Sequence, residues 1–139
     1  MANLRFVILD SPYHAWKNQN MRELFCAMAD LKFDGYRAQY RDGPLPVGKS
    51  DFVGIHKLIC EERDGRLIPL LGNCTVTVER AHYHNFTFPA LAFVQASGSK
   101  PHSDFVQSVM QRCEAQGKTL AYDSGYVIDP IIKKDREAA

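Results

Sequence analysis

The sequence predicts an α+β fold: a mixed, mostly antiparallel sheet with two main helices on its faces. Three observations lead there. Asp64-Gly65 separates two β-rich runs, and a tight hairpin turn favours that pair because both of its central residues take positive φ. Met21, Leu24, Phe25, Met28 and Leu31 recur at the spacing that gathers side chains on one stripe of a helix. A second helical period runs from about Ser103 to Gln116.

Leu4 to Leu9 is a continuous apolar run with β-branched members, which predicts a strand buried on both faces. Ser11-Pro12 predicts the start of the first helix, because a hydroxyl acceptor suits the N-cap and a proline loses nothing at the position after it. Gly35 predicts the end of that helix or a bend, with Tyr36 to Arg41 able to add a turn. Asp42 to Gly48 holds two prolines and two glycines and reads as a loop. Phe52 to Glu62 and the return from Leu67 are the arms of the hairpin, and Pro69 and Gly72 predict a bulge or break in the second arm. Beyond them Cys74, Val76 and Val78 alternate with Thr75, Thr77 and Glu79, the period of a strand.

Phe86 to Val94 reads as a further strand, with Pro89 at an edge or bend. It runs through the small loop Gln95-Ala96-Ser97-Gly98-Ser99-Lys100 into the second helix, which is expected to bury Phe105, Val109 and Cys113 and to end at Gly117. Thr119 to Tyr122 and Tyr126 to Ile128 are short strands around Asp123-Ser124-Gly125.

The bulk numbers bound the function. With 139 residues, 45% hydrophobic and 24% charged, the chain reads as one domain over residues 1–132 and a flexible tail over 133–139. A net charge of +1 without a dense Lys/Arg cluster argues against nucleic acid as a partner. No segment approaches the length of a membrane span, and the apolar N-terminal run is too short for a signal peptide, so a cytoplasmic protein is expected. Cys26, Cys60, Cys74 and Cys113 form no Cys-x-x-Cys pair and read as small core hydrophobes.

A strand, a glycine-containing loop and a helix aim backbone amides and a helix N-terminus at one point, where an anion is stabilised. Gln95, Gly98, Ser99 and Lys100 are therefore the expected binding residues for a small anionic ligand. Pro101 removes one donor there, and Asp104 adds a carboxylate in the first helical turn. This loop and the order of elements resemble the GNAT superfamily of acyl-CoA-dependent N-acyltransferases. The superfamily's loop signature is Arg or Gln, two residues, Gly, one residue, then Gly or Ala. Gln95 and Gly98 match it and Lys100 does not. Leu24 to Val78 also looks like the N-terminal part of the acyl-homoserine-lactone and N-acyl amino acid synthases. The resemblance implies a sheet lacking the family's C-terminal strands, acyl-CoA as co-substrate at Gln95–Lys100 and, in an active protein, acyl transfer to an amine. In that scheme Glu79 takes the proton from the amine, Tyr122 serves as the acid at the thioester sulfur, and His56 lines the cleft.

Two other constellations bear on function. His82-Tyr83-His84 places two imidazoles on one face of a strand, with Cys74 or His102 as further ligands. No second His/Cys cluster has metal-ligand spacing, so no metal is expected. Asp51, Glu61 and Glu62 read as surface charges. Tyr13, Trp16, Tyr36, Tyr40, Tyr83 and Phe86 fall in polar settings of the kind found in interfaces. An incomplete sheet has an open edge, which invites a second chain. The alternative function is a non-catalytic interaction module that forms a homodimer.

Overall fold

The computed structural model describes residues 2–43 and 47–137, so Pro44, Leu45 and Pro46 of the expected loop lie outside the described residues. Among those described, one four-stranded antiparallel sheet has the order β1-β2-β3-β4, with β1 at Leu4–Asp10, β2 at Ile55–Arg63, β3 at Arg66–Thr77 and β4 at Ala121–Ile128. Six helices accompany it: α1 (Gln19–Gln39), α2 (Lys49–Val53), α3 (Val78–Tyr83), α4 (Pro89–Ala96), α5 (Lys100–Ala115) and α6 (Pro130–Glu137). The α+β expectation holds, with more helices than the two foreseen. Packing divides the chain into two compact units, Thr75–Asp123 and the rest of the described residues.

In the first unit the α1 stripe behaves as its spacing predicts. Leu24, Phe25 and Met28 pack with Leu9, Leu58 and Cys60 in the buried core, and burial raises the pKa of the Cys60 thiol. The helix starts later than expected. Asn18 is its N-cap and accepts from the Met21 amide, whereas Ser11 sits at φ +46° and bonds to Val53 and Gly54. Gly35 does not end it. A Cβ there would lie 2.5 Å from Val127 Cγ2, so this glycine serves close packing inside a continuous helix.

The hairpin is as read: Asp64 and Gly65 take φ of +52° and +73° between β2 and β3. Strand β2 begins at Ile55, because Phe52 and Val53 belong to α2. Pro69 and Gly72 do not interrupt β3, and Gly72 instead admits Leu58 and the Lys57 carbonyl oxygen at distances no Cβ would tolerate. The two short strands foreseen near the end are one, β4, running through Gly125. Helix α6 occupies part of the expected tail, with Asp129 accepting from the Ile131 amide ahead of Pro130.

The largest correction concerns β1. The apolar run Leu4–Leu9 is a strand, but an edge strand with one exposed face. Leu9 is buried and Val7 half-buried, while Leu4, Phe6 and Ile8 are exposed. A continuous apolar run does not report how many faces are covered; tertiary packing covers one here.

In the second unit Thr77 accepts from the Arg80 amide and ends the strand by capping α3, so Val78 and Glu79 are helical. The strand expected over Phe86–Val94 is absent. Pro89 opens α4 at the first helical turn, and the following Ala-Leu-Ala run suits a helix. Helix α5 begins three residues before Ser103 and ends with Gly117 at φ +62°, where the Lys118 amide bonds to Cys113. It buries none of its residues fully. Phe105 is exposed, while Val109 and Cys113 are half-buried, against the expectation for all three.

Candidate functional site

The first unit encloses a polar knot. Lys32 lies one turn beyond Met28 on the buried stripe of α1, and α2 brings Asp51 to meet it in an ion pair. The second carboxylate oxygen of Asp51 accepts from the Gly48 amide at 2.8 Å. His56, on the core side of β2, donates from Nε2–H to the Asp51 carbonyl oxygen at 2.6 Å. Its Nδ1 is buried without a hydrogen-bond partner among the described residues. The Asp51 carbonyl oxygen can only accept, so the neutral form of the ring carries its proton on Nε2. Burial holds its pKa below the usual 6.5, with a smaller contribution in the same direction from the Lys32 charge. The bond to Asp51 and the Asp51 charge oppose this less strongly.

Cys74 on β3 completes the group, its Sγ 3.8 Å from the Ser50 carbonyl oxygen. Donor atoms of Asp51, His56 and Cys74 lie within 4.8 Å of one another, and the positive charge beside the carboxylate is the Lys32 ammonium. Gly125 makes room for it, since a Cβ there would stand 2.8 Å from Lys32 Nζ. Lys32, Asp51, His56 and Cys74 are at most 6% exposed. So enclosed a set has no open face for a substrate and acts as a fastening between α1, α2, β2 and β3. Asp51 is thus no surface charge, contrary to the sequence reading. The available signal was Lys32, a charged residue in phase with Leu24, Phe25 and Met28. Glu61 and Glu62 are surface charges as expected, paired with Arg63 and Arg5.

The other anticipated residues are spread over both units. His56 is the member of the catalytic trio that belongs to the first. Glu79 and Tyr122 belong to the second, where Glu79 is exposed on α3 beside a cavity of about 400 Å³ and Tyr122 packs edge-on against Phe88 at 6.4 Å. His82 and His84 lie on α3 and its C-cap, not on one face of a strand. Gln95 is in α4, Ser99 is the N-cap residue of α5, and Lys100 begins that helix. Gly98 has φ +73°, as a tight loop requires, but the loop joins two helices instead of following a strand. Its Ser97 and Gly98 amides donate to the α4 carbonyls of Phe93 and Gln95. Ser99 Oγ bonds to His102 Nδ1 at 2.6 Å, and Lys100 pairs with Asp104 at 2.6 Å.

The free edge of the sheet is the remaining feature. Strand β1 pairs with β2 from Leu4↔Glu61 to Asp10↔Ile55. The Glu62 amide bonds to the Asn3 carbonyl and the Ser11 amide to the Gly54 carbonyl, which fixes the phase of the ladder. Bonded and non-bonded pairs alternate in an antiparallel ladder, so Arg5, Val7 and Leu9 bond to β2. The amides and carbonyls of Leu4, Phe6 and Ile8 point away from it. These residues also carry the exposed side chains, at 57%, 63% and 54% exposure. One strand thus offers unpaired main-chain groups and an apolar row together. Tyr13, Tyr40 and Tyr83 are exposed as expected, whereas Tyr36 and Phe86 are half-buried.

No family model, curated protein or solved structure matches this chain.

Proposed function

We propose that this protein is an interaction module that joins a second copy of itself along the free edge of β1. The observation that carries the reading is the coincidence of outward-pointing main chain and exposed apolar side chains at Leu4, Phe6 and Ile8. Natural edge strands are blunted by proline, lysine, bulges or a covering element. Leu4–Asp10 contains neither proline nor lysine, and its register with β2 is unbroken. Antiparallel pairing about a two-fold axis through Phe6 sets Leu4 of one copy opposite Ile8 of the other, and the reverse. The same patch then serves both copies, as a closed dimer demands. The six apolar side chains leave water together with the strand edge.

Proline scanning combined with sedimentation velocity tests this. Ile8→Pro removes an outward N–H and no bond to β2, so it is tolerated in the fold and blocks the second strand. Ile8→Lys does the same by charge. Val7→Pro instead removes a bond to Leu58 and unfolds the sheet. The wild type is expected to show a dimer mass that both Ile8 variants reduce to a monomer, with unchanged circular dichroism. A wild-type monomer at every concentration tested would end the proposal, as would an Ile8→Pro dimer.

A further inference from the structure

The polar knot of the first unit leaves one atom unexplained. His56 Nε2 is bonded to the Asp51 carbonyl oxygen, while Nδ1 is buried without a hydrogen-bond partner among the described residues. A buried polar atom in that state is destabilising unless some other partner takes its lone pair. In the neutral ring the proton is on Nε2, so the lone pair belongs to Nδ1. Metal-bound histidines have this arrangement: one nitrogen ligates while the other N–H is held by a carbonyl or carboxylate. Further donors surround the ring. A ring nitrogen of His56, a carboxylate oxygen of Asp51 and Cys74 Sγ lie within 4.8 Å of one another, brought together by β2, α2 and β3. All three residues are buried.

We infer that Asp51, His56 and Cys74, with Lys32 as the fourth donor, bind a structural zinc ion. An imidazole nitrogen, a thiolate sulfur and a carboxylate oxygen together suit zinc, whereas magnesium and calcium take sets of oxygens. Structural zinc sites are closed and four-coordinate, and Lys32 Nζ already lies against the Asp51 carboxylate. Zinc holds such donors at about 2.0–2.3 Å, hence about 3.3–3.8 Å apart, so the set closes by about 1 Å around the ion. One proton leaves the Cys74 thiol and one the Lys32 ammonium as the ion enters. The metal-free set pairs one ammonium with one carboxylate, and the loaded set pairs a doubly charged ion with a carboxylate and a thiolate. Both are uncharged, so loading leaves no uncompensated charge in the core. Because the donors are sealed from water, the ion enters as the chain folds. The site lies between α1, α2, β2 and β3, whereas the proposed dimer uses the edge of β1. Either stands without the other.

Refolding the full chain with cobalt(II), which substitutes for zinc and reports its ligands by absorption, tests the inference. After desalting, the protein is expected to retain about one cobalt ion per chain, with a thiolate-to-cobalt charge-transfer band and the intense visible bands of a four-coordinate ion. Cys74→Ser is expected to lose the charge-transfer band, and Cys113→Ser to keep it. Protein refolded with zinc is expected to melt at a higher temperature than protein refolded with a chelator. Long-range proton–nitrogen NMR of the zinc-refolded wild type needs no variant: one histidine is expected with Nε2 protonated and Nδ1 bound to metal. Failure to retain cobalt overturns the inference, as does retained cobalt without the thiolate band. A band that survives Cys74→Ser overturns it too, and so do histidine nitrogens that zinc leaves unchanged.

Discussion

The two faces of the β1–β2 ribbon take alternate residues of the same two strands and have opposite fates. On one, the pairs Leu9↔His56 and Val7↔Leu58 lie under α1, and Leu9, His56 and Leu58 are sealed from water. On the other, Phe6↔Ile59 and Ile8↔Lys57 face outward, with Phe6 and Ile8 more than half exposed. Hydrophobicity does not distinguish them, since Phe6 and Ile8 are as apolar as Val7 and Leu9. The difference is one of cover. The face under α1 tolerates a neutral histidine and a buried ion pair because every charge there has a partner. The open face has an apolar row beside the edge of the sheet.

Substitutions break this contrast at different strengths. The largest effect is expected at Lys32, where Lys32→Met strands the Asp51 carboxylate in a dry site and costs about 3–5 kcal/mol in urea denaturation. Lys32→Met/Asp51→Leu is expected to recover most of that loss, because removing both charges leaves none uncompensated. A double variant no better than the single would show that the knot holds by shape and not by charge. Next come adjacent residues of β2. Leu58→Ala is expected to cost about 2–5 kcal/mol, while Ile59→Ala on the half-buried outer face costs under about 1.5 kcal/mol. Equal losses would erase the distinction between the faces.

The third effect is one of pH. The folded pKa of His56 lies below its unfolded value of about 6.5, so the unfolded chain takes up a proton first as pH falls. The stability contributed by the neutral ring is complete above about pH 6.5 and is lost as pH falls toward the folded value. Denaturation midpoints should decline across that window, and His56→Gln should decline less. The smallest effect is on the outer face itself. Ile8→Thr should shift the stability of the monomer by only about 0.5 kcal/mol while weakening self-association in sedimentation. A large loss of stability there would mean that Ile8 is a core residue in solution.

Much of this architecture was legible in the chain. The stripe Met21 to Leu31 marked its helix because helical period and burial coincide, and Asp64-Gly65 marked its hairpin because few residue pairs accept positive φ twice. The segment Phe86–Val94 was misread because a short apolar run fits a strand or a helix equally well, and Pro89 suits the first turn of a helix as well as a strand edge. Ser11 looked like a cap by its chemistry, yet Asn18 has the same chemistry and was positioned to serve. The polar knot was missed for another reason, although Lys32 in phase with the buried stripe pointed toward it. Lys32, Asp51, His56 and Cys74 are separated along the chain and become neighbours only when α1, α2, β2 and β3 come together.

Local rules, which act over a few residues, were therefore enough to set the α+β class, the long first helix and the tight turn between β2 and β3. Which side of β1 receives a cover, and whether a charge such as Asp51 meets water or Lys32, depended on groups distant in the chain. Alternation along a strand fixes which side chains share a face. Only packing decides which face is closed.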